Sequence, residues 1–105
     1  MVSTKPMTAF VTGASNGFGA AIVRRFAAEG MRVVALARRQ DRLAELAAEL
    51  GGSVLPVRLD VRDLAAVQEV VAGLPAGFAE IDVLVNNAGL ALGLKPAQDE
   101  SGLRR

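Results

Sequence analysis

The sequence contains no cysteine, histidine, tyrosine or tryptophan. No disulfide can form, and the composition fits a reducing compartment, with the cytoplasm the expected location. No thiol nucleophile, imidazole base or phenol acid is present, and no Cys/His metal site can be built. Aromatic content is four phenylalanines. Charge of one sign is also lacking. Twelve basic residues face eleven acidic ones, a net charge of +1, so no strong field points to nucleic acid or a membrane surface. No apolar run is long enough to span a bilayer, and residues 1–5 lack the apolar stretch of a signal peptide.

What is present is a modest apolar core. Apolar residues make up 51% of the 105-residue chain, enough for one domain with a buried sheet. Apolar runs that read as strands alternate with amphipathic helical patterns. Strands are predicted over 7–12, 32–37, 54–59 and 81–86. Helices are predicted over 17–29, 40–50 and 63–73. Leu43, Leu46, Ala47 and Leu50 share one face of the second helix at i, i+3, i+4, i+7 spacing. Gly30 stops the first helix and Gly51-Gly52 the second, as glycine caps do. In the third, Leu64, Val67, Val70 and Val71 are expected to face inward. Pro56 suggests that the third strand is a sheet edge. Residues 74–80 read as a loop.

This alternation implies parallel strands joined by right-handed crossovers, with helices on both faces. The predicted fold is α/β: a Rossmann-like, doubly wound parallel sheet of about four strands, order 3-2-1-4, with three helices. The switch point falls between strands one and four. After residue 89 the pattern fades, and residues 98–105 read as a mobile tail.

The most informative segment is Thr12-Gly13-Ala14-Ser15-Asn16-Gly17-Phe18-Gly19. It connects an apolar strand to a helix, the architecture of a dinucleotide phosphate site. Gly13 suits a tight reversal. A side chain at Gly17 would intrude on a pyrophosphate, and Gly19 allows close packing of the helix. The helix N-terminus then offers free N–H groups and partial positive charge. Ser15 and Asn16 either contact phosphate or cap the helix. A tight turn with no ligand is the alternative. Asn86-Asn87-Ala88-Gly89 follows strand four and reaches the same switch point.

Arg38 and Arg39 end strand two, where NAD-binding folds place an acid for the ribose 2′-hydroxyl. A guanidinium there accommodates a 2′-phosphate instead. The alternative is two solvated charges opening helix two. A methyltransferase-like fold would want an acid at this position, so the arginines argue against it.

With these residues in place the chain resembles the short-chain dehydrogenase/reductase family. The family's TGxxxGxG turn appears as Thr12-Gly13, Gly17 and Gly19, its Asp-Val as Asp60-Val61, and its NNAG as residues 86–89. ARRQDRLAEL (37–46) and LPAGFAEIDVLVNNAGLALGLKPA (74–97) are similar to the NADP-dependent 3-hydroxy acid dehydrogenase branch. The resemblance spans 9–97. It implies NADP as cofactor, with hydride passing between nicotinamide and a short hydroxy acid or related alcohol. It implies that Asp60 bonds the adenine amino group with Val61 against the ring, although Asp60 could equally cap helix three. It also implies that Asn87 faces the cofactor ribose and braces the central strands. The cofactor-binding set is thus Gly13, Ala14, Ser15, Asn16, Gly17, Phe18, Gly19, Arg38, Arg39, Asp60, Val61, Asn87, Ala88 and Gly89.

The family's catalytic Asn, Ser and Tyr-x-x-x-Lys lie beyond the matched half. No residue here maps to any of them, and Ser-Gly-Leu-Arg-Arg (101–105) departs from the family pattern. The chain therefore reads as part of an oxidoreductase, or as a non-catalytic nucleotide-binding module. Family members are homo-oligomers, and this chain alone is expected to self-associate through its uncovered strand four.

Overall fold

The structure, a computed structural model, describes residues 6–87. Four strands and three α-helices alternate: β1 (Thr8–Thr12), α1 (Gly17–Ala28), β2 (Arg32–Ala37), α2 (Gln40–Leu50), β3 (Val54–Arg58), α3 (Leu64–Ala72) and β4 (Val83–Asn86). A short 3₁₀ turn, Gly51–Ser53, separates α2 from β3. The strands form one sheet in the order β3-β2-β1-β4, and every pair is parallel. The fold is therefore the Rossmann-like α/β arrangement expected from the alternation. Residues 88, 89 and 98–105, for which site and tail roles were expected, lie outside the described residues.

The central strands are buried almost from end to end because both faces are covered, with Thr8, Thr12 and Arg32 the polar residues at their ends. Every residue of β1 is buried, as are the last five of β2. The two-residue period of the strands sorts their side chains into two cores. Ala9, Val11, Val33, Ala35, Ala37 and Val54 face α1 and α2, meeting Val23, Leu43 and Leu46. Phe10, Val34, Leu36, Leu55 and Val57 face the other way and pack with Val67 and Val71 of α3. Pro56 sits in β3 opposite Ala35, on the sheet edge. That placement spares the ladder a missing N–H donor.

Boundaries follow capping chemistry. Gly51 ends α2 at φ 77, a left-handed conformation that suits glycine. β4 begins at Val83, two residues later than predicted. Asp82 is occupied otherwise: its carboxylate accepts the Thr8 N–H at 2.8 Å, and its own N–H donates to the Thr8 carbonyl at 2.8 Å. This pair fastens the start of β4 to the start of β1.

Two expectations about α3 are corrected. Its N-cap is Asp63, whose Oδ1 accepts the Ala66 N–H at 3.1 Å, and not Asp60. Asp60 stands three residues too early, in the turn leaving β3. Leu64 does not face inward; it is 41% exposed because it opens the helix, before the face bearing Val67 and Val71 reaches the sheet.

Replacing Asp63 with alanine should lower unfolding free energy by about 1 kcal/mol, the usual value of a side-chain N-cap. Asp60→Ala should have the smaller effect. Thermal melts of the two variants beside the wild type check the order, and a larger loss from Asp60→Ala would reverse the assignment.

Candidate dinucleotide site

The turn between β1 and α1 is a joint of three backbone segments. Gly13 adopts φ 63, which few residues other than glycine tolerate. The Ala14 N–H donates to the Leu36 carbonyl at 3.0 Å, binding the turn to the end of β2. α1 then starts hard against this turn. A Cβ on Gly19 would collide with the Gly13 carbonyl oxygen and come within 2.9 Å of the Asn87 side-chain nitrogen. A Cβ on Gly17 would meet nothing within 4 Å. The two glycines thus serve opposite purposes: Gly19 is required by contact inside the protein, whereas the space at Gly17 is open.

Asn16 is the N-cap of α1, accepting the Gly19 N–H on Oδ1 at 2.8 Å. Of the two roles open to Asn16, its side chain performs the capping one. The amides of Gly17 and Phe18 have no carbonyl one turn earlier to reach, so the first turn offers N–H groups outward. Asn87, just past β4, donates its Nδ2 to the Gly13 carbonyl at 3.1 Å and to Asn16 Oδ1 at 3.2 Å. The side chain therefore braces the glycine turn. Thr12 Oγ1 reaches Asn86 Oδ1 at 3.1 Å, a second tie between β1 and β4.

A cleft of about 710 Å³ opens at the carboxyl ends of β1, β2 and β3. Gly13, Ser15, Arg38, Arg39, Asp60 and Val61 line it, six of the residues singled out in the sequence. A neighbouring cleft of about 430 Å³ shares Ser15 and Arg39 and adds Ala14, Asn16 and Gly17. Phe18 lines neither; it is 72% exposed on the first turn of α1. Gly19 and Asn87 lie behind the turn and support it. Arg58 and Leu59 complete the larger cleft and were not anticipated. Their position at the end of β3, beside the Asp-Val pair, was the available signal.

The charges in the larger cleft are unbalanced. Three guanidiniums, Arg38, Arg39 and Arg58, face one carboxylate, Asp60. That carboxylate is already engaged. Arg62 donates its backbone N–H to Oδ1 at 3.0 Å and its Nη2 to Oδ2 at 2.8 Å. These bonds hold the Asp60 carboxyl well below the usual carboxylate range. The pair's stabilising effect is present above that range and lost as pH falls through the lowered value, and exposure keeps it small. Arg39 approaches Asp41 only loosely, at 3.7 Å. Neither Arg38 nor Arg58 has an ion-pair partner among the described residues. The described lining therefore gathers positive charge at the end of β2 and a hydrogen-bond acceptor of fixed direction, Asp60, at the end of β3.

The family model for the short chain dehydrogenases matches residues 7–102. The chain belongs to the short-chain dehydrogenase family. It is 54% identical over 95 residues to the NADP-dependent 3-hydroxy acid dehydrogenase of Shigella flexneri, covering 90% of this chain and 38% of that protein. It is 51% identical over 90 residues to the serine 3-dehydrogenase of Rhizobium radiobacter, covering 86% and 36%. Among solved structures, serine dehydrogenase from Escherichia coli superposes with a TM-score of 0.76 at 54% identity, covering 90% of this chain and 44% of that one. The closed form of serine dehydrogenase, complexed with NADP⁺, gives the same TM-score and identity, covering 90% and 38%. This short-chain dehydrogenase sequence thus spans well under half the length of the relatives it matches.

Gly19→Ala should destabilise the protein by about 1–3 kcal/mol, the range for forcing extra atoms into a packed site. Gly17→Ala should leave stability unchanged or slightly raised, since alanine favours the helix. Chemical denaturation of both variants checks this. Equal losses would mean that α1 does not rest on the Gly13 backbone as described.

Proposed function

We propose that this chain is the NADP(H)-binding part of a short-chain oxidoreductase. The observation that carries the reading is the pair Arg38 and Arg39 on the cleft wall at the end of β2, where an acidic residue would repel a 2′-phosphate. A solved relative complexed with NADP⁺ supports it.

The residues fit the cofactor group by group. Gly13, Ala14, Ser15 and Gly17, with the first amides of α1, receive the pyrophosphate; the empty space at Gly17 is the room that its approach needs. Arg38 and Arg39 fork onto the 2′-phosphate. Asp60 accepts the adenine amino group. Arg62 bonds both of its oxygens and fixes their direction, while the Asp60 side chain remains 38% exposed on the cleft wall. Val61 lies against the ring. Asn87, with its amide committed to Gly13 and Asn16, keeps the turn in shape beside the ribose.

Bound NADP supplies hydride chemistry at its nicotinamide. In the whole enzyme the substrate would be a short hydroxy acid or related alcohol. What these residues contribute is position and charge. Among the described residues lining the larger cleft, the ionisable side chains are three arginines and Asp60, whose carboxyl Arg62 holds well below the usual carboxylate range.

NADP⁺ should bind about tenfold or more tightly than NAD⁺, from one or two charge-assisted hydrogen bonds to the 2′-phosphate. Arg38→Ala/Arg39→Ala should bring the two affinities together. Calorimetric titration of both cofactors checks this, and equal affinities in the wild type would overturn the NADP assignment.

A further inference from the structure

Arg58 ends β3 directly across from Ala37 of β2, and the adjoining Leu59 N–H donates to the Ala37 carbonyl at 2.9 Å. Its place is thus one residue short of Arg38 on the neighbouring strand, about 5 Å away through the ladder. Strand alternation gives Arg58 the same face as Val54, the face turned toward α1 and α2. Its side chain is exposed at the edge of the sheet and lines the larger cleft with Arg38 and Arg39.

Its ionic surroundings are unusual for a surface arginine. No carboxylate pairs with it among the described residues. The acid nearest in sequence, Asp60, is claimed by Arg62 through its backbone and its guanidinium. Among the described residues, Asp41 is another acid in an ion pair near this end of the sheet, and it stands beside Arg39. Three guanidiniums gathered around one cleft repel one another in the absence of an anion. A phosphate monoester carries close to two negative charges at neutral pH. Arg39 shares its charge with Asp41, so Arg38 alone cannot balance it.

We propose that Arg58 is a further specificity-determining residue of this site, a ligand of the 2′-phosphate that approaches from β3 while Arg38 and Arg39 approach from β2. The anion is then held between the carboxyl ends of two adjacent strands and is read from two sides. A contact there would discriminate between cofactors at the 2′-phosphate. This inference rests on the NADP reading above.

The test titrates NADP⁺ and NAD⁺ into the full chain and into Arg58→Gln and Arg58→Lys, at low and high salt. Arg58→Gln should weaken NADP⁺ binding by about fivefold to tenfold, a discounted charge-assisted bond at an exposed site, and leave NAD⁺ unchanged. Arg58→Lys should lose less, because charge remains while the fork is gone. The difference between wild type and Arg58→Gln should shrink at high salt. Unchanged melting midpoints show that the variants are folded. A wild type that prefers NADP⁺ together with an Arg58→Gln variant that keeps the full preference overturns the role of Arg58 alone. Equal weakening of both cofactors does so too, because the contact would then not be to the 2′-phosphate. A wild type with no preference, or no binding, overturns the NADP reading and this inference with it.

Discussion

Everything at this site depends on the contact between Gly19 and the backbone of Gly13. Because α1 has no side chain at that point, its first turn lies directly on the glycine turn, with the Asn87 amide closing the third side. The contact fixes the direction of α1 and hence where its unpaired N–H groups point. It also holds the end of β1 in register with the ends of β2 and β4, through the Ala14–Leu36 and Thr12–Asn86 bonds. A bulkier residue would push the helix outward and detach the positive helix end from the cleft that it serves.

In the proposed function the cleft divides recognition between two kinds of group. Backbone amides at the start of α1 act as fixed dipoles, suited to a phosphate that approaches closely. Guanidiniums at the ends of β2 and β3 are longer and present a planar fork of donors, suited to a phosphate that distinguishes one cofactor from another. Asp60 sits among cations without cancelling them, because Arg62 has already engaged it. The result is a hydrogen-bond acceptor of fixed direction inside a region whose remaining charge is positive.

Much of this was legible in the residues. The alternation of apolar runs with helical periods predicts the order 3-2-1-4, and Pro56 marks β3 as an edge. Those signals are strong because burial on both faces leaves little freedom in composition. The glycine spacing and the two arginines likewise stand at positions that chain order alone brings to one end of the sheet. Less legible were features decided by a single side-chain choice. Asp60 and Asp63 both precede α3, and only local geometry shows that Asp63 caps it while Asp60 pairs with Arg62. Leu64 fits the helical period but lies before the face turns inward. Asn16 could have capped or contacted phosphate, and its bonds to Gly19 and Asn87 show it capping. Arg58 was missed because an arginine ending an edge strand looks like an ordinary solvated charge until the neighbouring strand is placed beside it.

The most direct test of the central claim is amide chemical-shift mapping of the isotope-labelled chain during titration with NADP⁺ and, separately, NAD⁺. Both should perturb the amides from Gly13 to Gly19 and those at Asp60 and Val61. The shifts that differ between the two cofactors should gather at Arg38, Arg39 and Arg58. Perturbations confined to the exposed edge of β4, or identical maps for the two cofactors, would contradict a site at the carboxyl ends of β1, β2 and β3 that reads a 2′-phosphate.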